Sequence, residues 1–441
     1  MDPIAPPPRA SGLSAALKRT REALRHPVSQ NAAALYAVQV VLTVLPLITL
    51  PWLARVLGPA ELGVVVFVQS FSFLLGMLIE FGFGLSATRR IAGERDDPRA
   101  MGETVAGVLG AKLALMGIAA AVSLVALLSV PAFREDPRLL AFGLAMALVQ
   151  GLLPLWFFTG LEQLRLTAAI DVTVRLLTAV AIIVLVREEG QGLRVLWIWT
   201  IGPAISVIAL NVLMYRRVPW VKPSANLRQV AFKEGWALFI ATAAVSLYTS
   251  GTVFMLGLVV SSAQLALFSA AERVVRAAIR ATGPIAGAAY PRISHMLAEG
   301  RGDRAQRLST LVLLAVTALA SVVCVLMLLL APTLVDLLFG DEFEDSVEIL
   351  RILALLIPPV AVGGTLSGLW LITRRLDRIP TVIAIGGGLV NVVLTPLVGS
   401  LSGPTGVAWT LVGIETAVAV ALVIVIRSRS LLPTRDQVLG R

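Results

Sequence analysis

Apolar residues run through this chain in blocks of about twenty, the length an α-helix needs to cross a hydrocarbon core, and each block ends at Gly, Pro or a cluster of charge. The blocks predict twelve spans, near 31–56, 62–86, 103–130, 138–159, 167–187, 194–215, 235–258, 264–288, 308–331, 347–372, 380–399 and 404–427. The polar positions between them alternate in sign. With the N-terminus in the cytoplasm, 26 of the 37 Lys and Arg fall in cytoplasmic segments. The outward loops hold only Arg134, Arg138, Arg187 and Arg194, and the loop with Asp341, Glu342, Glu344 and Asp345 has no Lys or Arg. Cytoplasmic loops gather basic residues, and a miscount by one helix would scramble the alternation. Both termini are therefore expected in the cytoplasm.

A weak repeat divides the spans in two. Span two closes on Arg89-Arg90-Ile91, and span eight runs out through Pro291-Arg292-Ile293, 202 residues later by number. The expected organisation is a basic tail (1–30), an N-terminal six-helix bundle (31–215), a linker (216–234), a C-terminal six-helix bundle (235–427) and a short tail (428–441). The fold class is an all-α membrane protein of about twelve transmembrane helices in two pseudo-symmetric bundles. Such parallel repeats suit transporters that rock one half against the other. In the first 30 residues no apolar core follows the charged start, so no cleavable signal peptide is expected. That tail reads as solvated, or as a short amphipathic helix (13–24) on anionic lipid.

Composition agrees: 57% of residues are apolar, 15% charged, and the mean hydropathy is +0.87. Soluble domains are about a quarter charged, so a cytosolic enzyme, a disordered chain and a nucleic-acid-binding module are excluded together. The net charge of +10 belongs to the basic loops. One cysteine, Cys324, excludes a disulfide framework, and His26 and His295 are too few and too far apart for a metal site.

Ionisable residues inside spans are costly and usually face an internal pathway. Glu80 and Glu162 lie near cytoplasmic ends, where water is in reach, and Arg55 and Arg351 lie near outward ends, where they can snorkel. Asp171 and Arg175, four apart, predict an internal ion pair. Lys112 either snorkels or lines a cavity. Glu415, near the middle of span twelve, is structural or a proton carrier. Span eight differs, because it carries Glu272, Arg273, Arg276 and Arg280. At 100° per residue the three arginines share an arc of about 60°, and Arg276 lies about 18 Å along the span, near the middle of a core about 30 Å thick. One acid cannot neutralise three cations. Guanidinium forks pair bidentately with phosphate, so this face predicts an anionic, phosphate-bearing ligand, with Lys112 and Arg55 as further candidate cations. The chain has no Gly-x4-Gly-Lys loop, and Gly386-Gly387-Gly388 lies inside span eleven, where it reads as close helix packing or a flexible point rather than a phosphate cradle.

Several stretches, in order across residues 31 to 427, resemble the oligosaccharide flippase family, the polysaccharide-exporting branch of the multidrug/oligosaccharidyl-lipid/polysaccharide exporter superfamily. They are Arg55-Val56-Leu57-Gly58-Pro59-Ala60-Glu61-Leu62-Gly63, Phe81-Gly82-Phe83-Gly84-Leu85-Ser86-Ala87-Thr88-Arg89 and Pro154-Leu155-Trp156-Phe157-Phe158-Thr159-Gly160-Leu161-Glu162. The second half adds Lys233-Glu234-Gly235, Ala270-Ala271-Glu272-Arg273, Tyr290-Pro291-Arg292-Ile293-Ser294 and Phe339-Gly340. In the third segment Leu155 separates the Pro and Trp that the family pattern joins. The resemblance implies two bundles around a cation-lined central cavity, and movement of an undecaprenyl-diphosphate-linked oligosaccharide to the outer leaflet of the bacterial inner membrane. It also implies alternating access, a monomer without cofactor, and work beside membrane lipids and a polysaccharide polymerase. Glu272-Arg273 matches the family's acidic-basic step; Arg276 and Arg280 follow from helical geometry alone. A gradient-driven drug or cation antiporter of the same superfamily is the alternative, and would need an uncompensated acid such as Asp171 or Glu415. A membrane glycosyltransferase would need clustered carboxylates or metal ligands in large aqueous loops, and the longest outward loop, about 332–346, is short.

Overall fold

The computed structural model describes residues 27–249 and 251–429. The expected tails, and the amphipathic segment 13–24 with them, lie outside the described residues apart from a few at their inner ends. Regular structure among the described residues is helical throughout. The N-terminal half comprises α1 (Pro27–Glu80), α2 (Phe83–Gly93), α3 (Pro98–Ser129), α4 (Pro131–Glu135), α5 (Pro137–Gly151), α6 (Leu155–Gly160), α7 (Leu164–Leu185) and α8 (Gly192–Tyr215). The C-terminal half comprises α9 (Ala225–Thr249), α10 (Gly251–Gly257), α11 (Ser262–Ala298), α12 (Gly302–Phe339), α13 (Ser346–Ala354), α14 (Ile357–Leu366) and α15 (Arg378–Ser428).

These helices carry the twelve spans. Spans one and two are both in α1, and spans eleven and twelve both in α15, each pair joined at a Gly-Pro step. Gly58 (φ 68°, ψ 171°) and Gly403 (φ 61°, ψ −158°) occupy backbone space open to glycine alone. Pro59 and Pro404 then take the first position of the next span, where a missing N–H costs nothing. Among the described residues, eight helical stretches are long and apolar enough to cross a membrane on that measure alone, and two of them cover these folded-back regions. Span eight, α11, is not one of the eight, because its polar residues break the apolar window.

Local signals set the other ends. Asp97 accepts from the backbone of Arg99 and Ala100 to start α3, Asp136 caps α5, and Ser261 with Gln264 forms a capping box at α11. Three expectations about continuity are corrected. Span two breaks at Phe81 and Gly82, both at positive φ, so that its end lies in α2 rather than α1. Span four breaks into α5 and α6, since Pro154 has no N–H to return to the preceding turn. Span ten breaks around Pro358 and Pro359 into α13 and α14 and closes through a π-turn at Ser367–Leu371. The expected linker 216–234 is helical from Ala225, and this first part of α9 packs on the N-terminal half: a Cβ on Gly107 would lie 2.7 Å from the Leu227 carbonyl oxygen.

The repeat is visible in packing. After the repeated arginines, Ile91 and Ile293 are both fully buried, and in each half the second span runs on past the apolar block, as α2 and as the end of α11. A separate aromatic core closes one end of the N-terminal half. It gathers Phe81, Phe83, Trp156, Phe157 and Phe158 with Ala231, and Phe81 stacks on Phe239 of α9 at 4.5 Å.

Candidate functional site

The arginine face of α11 lies between the two halves. Arg273, Arg276 and Arg280 line one cavity of about 440 Å³ together with Glu272, Gln69 and Gln150. Glu272 is buried and accepts from the Arg276 guanidinium one turn on. Arg273 instead reaches across to α1, where its guanidinium donates to the Gln69 side-chain oxygen at 2.5 Å. Arg280 is exposed. A second cavity of about 340 Å³ lies within the N-terminal half and shares Pro46, Gln69, Gln150 and Arg273 with the first. It contains the expected pair, Asp171 to Arg175 at 2.7 Å, with Thr178, Trp199 and Ser206. One buried serine hydroxyl in each cavity, Ser206 in one and Ser269 in the other, has no hydrogen-bond partner.

Three expected site residues stand elsewhere. Lys112 is 3% exposed and donates to Glu80 at 2.7 Å and to the Gly151 carbonyl at 2.6 Å. The second contact explains it. The break in span four frees carbonyls in the membrane, where each must find a donor; Lys112 takes Gly151, and Asn211 takes Leu152 at 3.1 Å. A cation there also suits the negative end of α5. Arg55 does the same between halves, donating to the Asp336 and Leu337 carbonyls at 3.1 and 2.6 Å near the end of α12. Glu415 is half-buried on α15 and is not among the residues lining either cavity.

Sequence reasoning missed Gln69 and Gln150. Each is a lone amide in an apolar block, and an uncharged amide there usually serves helix packing, so only proximity to Arg273 marks them out. A further polar seam was also missed: Asn391 donates to Thr252 at 2.7 Å and accepts from Thr395 at 2.9 Å, all three fully buried. Among the described residues no group of His, Cys, Asp and Glu side chains could hold a metal ion.

The family described as polysaccharide biosynthesis protein matches residues 28–297, more than half of the chain. This chain belongs to that family. Two proteins carrying the name "Putative O-antigen transporter" are similar to it along most of their length. The one from Escherichia coli (strain K12) is 26% identical over 88% of this chain and 94% of its own. The one from Shigella dysenteriae is 27% identical over 84% and 93%. In fold the chain resembles an inward-facing multidrug resistance MATE family transporter (TM-score 0.66, 16% identity, 90% and 98% coverage). It also resembles the lipid II flippase MurJ in an inward closed conformation (TM-score 0.67, 13% identity, 92% and 89% coverage). These likenesses agree with two helical lobes. The chain is thus a membrane-embedded member of the polysaccharide biosynthesis protein family, and the two relatives carry the name of a putative transporter.

Within this family member, the segments that carried the resemblance are largely scaffold. In Pro154…Glu162, Trp156, Phe157 and Phe158 are buried. The Trp156 carbonyl accepts from Thr88 at 3.0 Å, and Arg95 holds Gly160 and Glu162. Arg90 pairs with Glu94 and with Glu234 of the Lys-Glu-Gly segment. Glu61 accepts from the backbone N–H of Gly190 and Gly192, tying the top of span two to the turn between α7 and α8. Only Glu272-Arg273 faces the cavities.

Proposed function

We propose that this chain moves an undecaprenyl-diphosphate-linked oligosaccharide from the inner to the outer leaflet of the bacterial inner membrane. The observation that carries this is the cavity between the halves, lined by three arginines against one carboxylate. Glu272 offsets Arg276, which leaves net positive charge for an anion. A diphosphate crossing the bilayer must shed water at a cost of several kcal/mol per charge, and fixed guanidinium forks offset part of that loss. The polar headgroup crosses in the cavity while the polyprenyl tail stays in lipid.

Alternating exposure of this cavity is part of the proposal. Contacts between halves run along the outer part of α11, from Ser262 against Gly63 down to Arg273 on Gln69. Phe67 stacks on Phe254 at 5.3 Å nearby, and Arg55 caps α12 from the other half. These contacts would part as the headgroup is released outward. The antiporter alternative needs an uncompensated acid in a pocket, and Asp171 is already paired with Arg175, which favours the flippase. The basic loops support a cytoplasmic location for both termini.

In a strain lacking this gene, the natural chain should restore surface glycan. Arg276→Ala should reach the membrane in equal amount and abolish export. Full export by that variant refutes the reading.

A further inference from the structure

The cavity inside the N-terminal half is built for a different kind of ligand than the arginine cavity beside it. Asp171 and Arg175 neutralise each other there, and Arg273 enters only where the two cavities meet. The rest of the polar lining consists of amides, hydroxyls and an indole: Gln69, Gln150, Thr49, Thr178, Ser206 and Trp199. An anion gains little from such a neutral lining, whereas a neutral polyhydroxyl compound finds donors, acceptors and an aromatic face.

Ser206 adds a second, independent sign. Several helical serines in this protein return their hydroxyl to the carbonyl one turn back, as Ser123 and Ser309 do at 2.8 and 2.9 Å. Ser206 is 1% exposed and its hydroxyl has no partner. A buried orphan of this kind costs stability and calls for an explanation such as a ligand group.

We propose that this cavity is a carbohydrate subsite that takes the sugar attached directly to the diphosphate. The inference rests on the proposed function, because the sugar is placed by its bond to a diphosphate held on Arg276 and Arg280. Pro46, Gln69, Gln150 and Arg273 border both cavities, so one glycosyl diphosphate reaches from one to the other. Asp171 and Ser206 accept and donate to ring hydroxyls, and Trp199 offers its face to the ring. A volume of about 340 Å³ is at the small end for ligand sites and holds about one or two sugar rings. The remainder of the oligosaccharide stays outside it.

The test compares binding of two lipids to the purified full-length protein in detergent: farnesyl diphosphate, and the same lipid carrying one hexose or N-acetylhexosamine. The natural chain is expected to bind a glycosylated lipid about tenfold more tightly than the bare one. Ser206→Ala and Trp199→Leu should each reduce that preference to about twofold or less while the bare lipid binds as before. Ser206→Ala removes an orphan hydroxyl, so its Tm should hold or rise, which separates lost binding from lost folding. A preference that survives both substitutions overturns the subsite, as does equal weakening of both lipids or a natural chain with no preference. Arg276→Ala reports on the underlying reading separately: it should weaken both lipids at least tenfold, and if it weakens neither, the diphosphate assignment fails whatever the sugar does.

Discussion

Lys112→Met replaces a buried ammonium by an apolar side chain of similar length, and it decides whether this cation belongs to the scaffold or to the substrate path. In the structure the ammonium makes two contacts, 2.7 Å to Glu80 and 2.6 Å to the Gly151 carbonyl. A hydrogen bond from a charged donor contributes about 1.5–3 kcal/mol, and here its loss also leaves the end of α5 without a donor. The Glu80 side chain is 38% exposed, so the ion pair itself adds only up to about 1 kcal/mol. The expected loss is about 2–4 kcal/mol, which lowers Tm by roughly 2–4 °C in a protein of this size, at about 2.1 cal/mol/K of unfolding entropy per residue. Cys324 is the one cysteine of the chain and is 6% exposed, so a thiol-reactive fluorophore on the detergent-purified protein reports unfolding directly. Adding Glu80→Gln to Lys112→Met should cost little more than Lys112→Met alone, since the pair is already broken, and the double variant that still folds should still export glycan. An unchanged Tm for Lys112→Met refutes the capping role. Loss of export by a double variant that melts like the natural chain would return Lys112 to the substrate path.

At the outer contact between halves, a Cβ on Gly63 would lie 1.8 Å from the Ser262 carbonyl oxygen. Gly63→Ala should therefore cost about 1–3 kcal/mol of overpacking. A cysteine placed at Ser262, with Cys324 replaced by Ala, should then react several-fold faster with a membrane-impermeant maleimide; equal labelling would show that the halves do not meet there. In the turn before α5, the hydrogen bond from Arg138 holds the Asp136 carboxyl below its usual range. The Asp136 cap thus acts in full at neutral pH and is lost only as pH falls below about 4, through the lowered value. Asp136→Asn should flatten the melting profile in that acid range and leave its slope near neutrality unchanged.

Much of this protein is legible in one dimension. The lengths of the apolar blocks and the alternation of basic loops give twelve crossings and their expected orientation, because the bilayer imposes its thickness and charge asymmetry on each span separately. The Asp171–Arg175 pair and the common face of Arg273, Arg276 and Arg280 were equally accessible, since residues three, four and seven apart are neighbours on any helix. Helix ends were less so. Hydropathy marks membrane depth rather than hydrogen bonding, so α9 begins ten residues before its apolar block and α12 exceeds its block at both ends.

What a charge does once folded depended on partners far away in the chain. Lys112 and Arg55 were candidate substrate ligands by sequence, and the fold makes each a cap for carbonyls on another helix, 39 and 282 residues distant at their shortest contacts. Gln69 and Gln150 look like packing residues until Arg273 of the opposite half joins them in lining both cavities. A local pattern fixes which face of a helix is polar, because that follows from 3.6 residues per turn. Which face of which other helix it meets is settled only when all the spans pack together, and in this protein that packing separates the cations that cap the scaffold from those left to line the cavity.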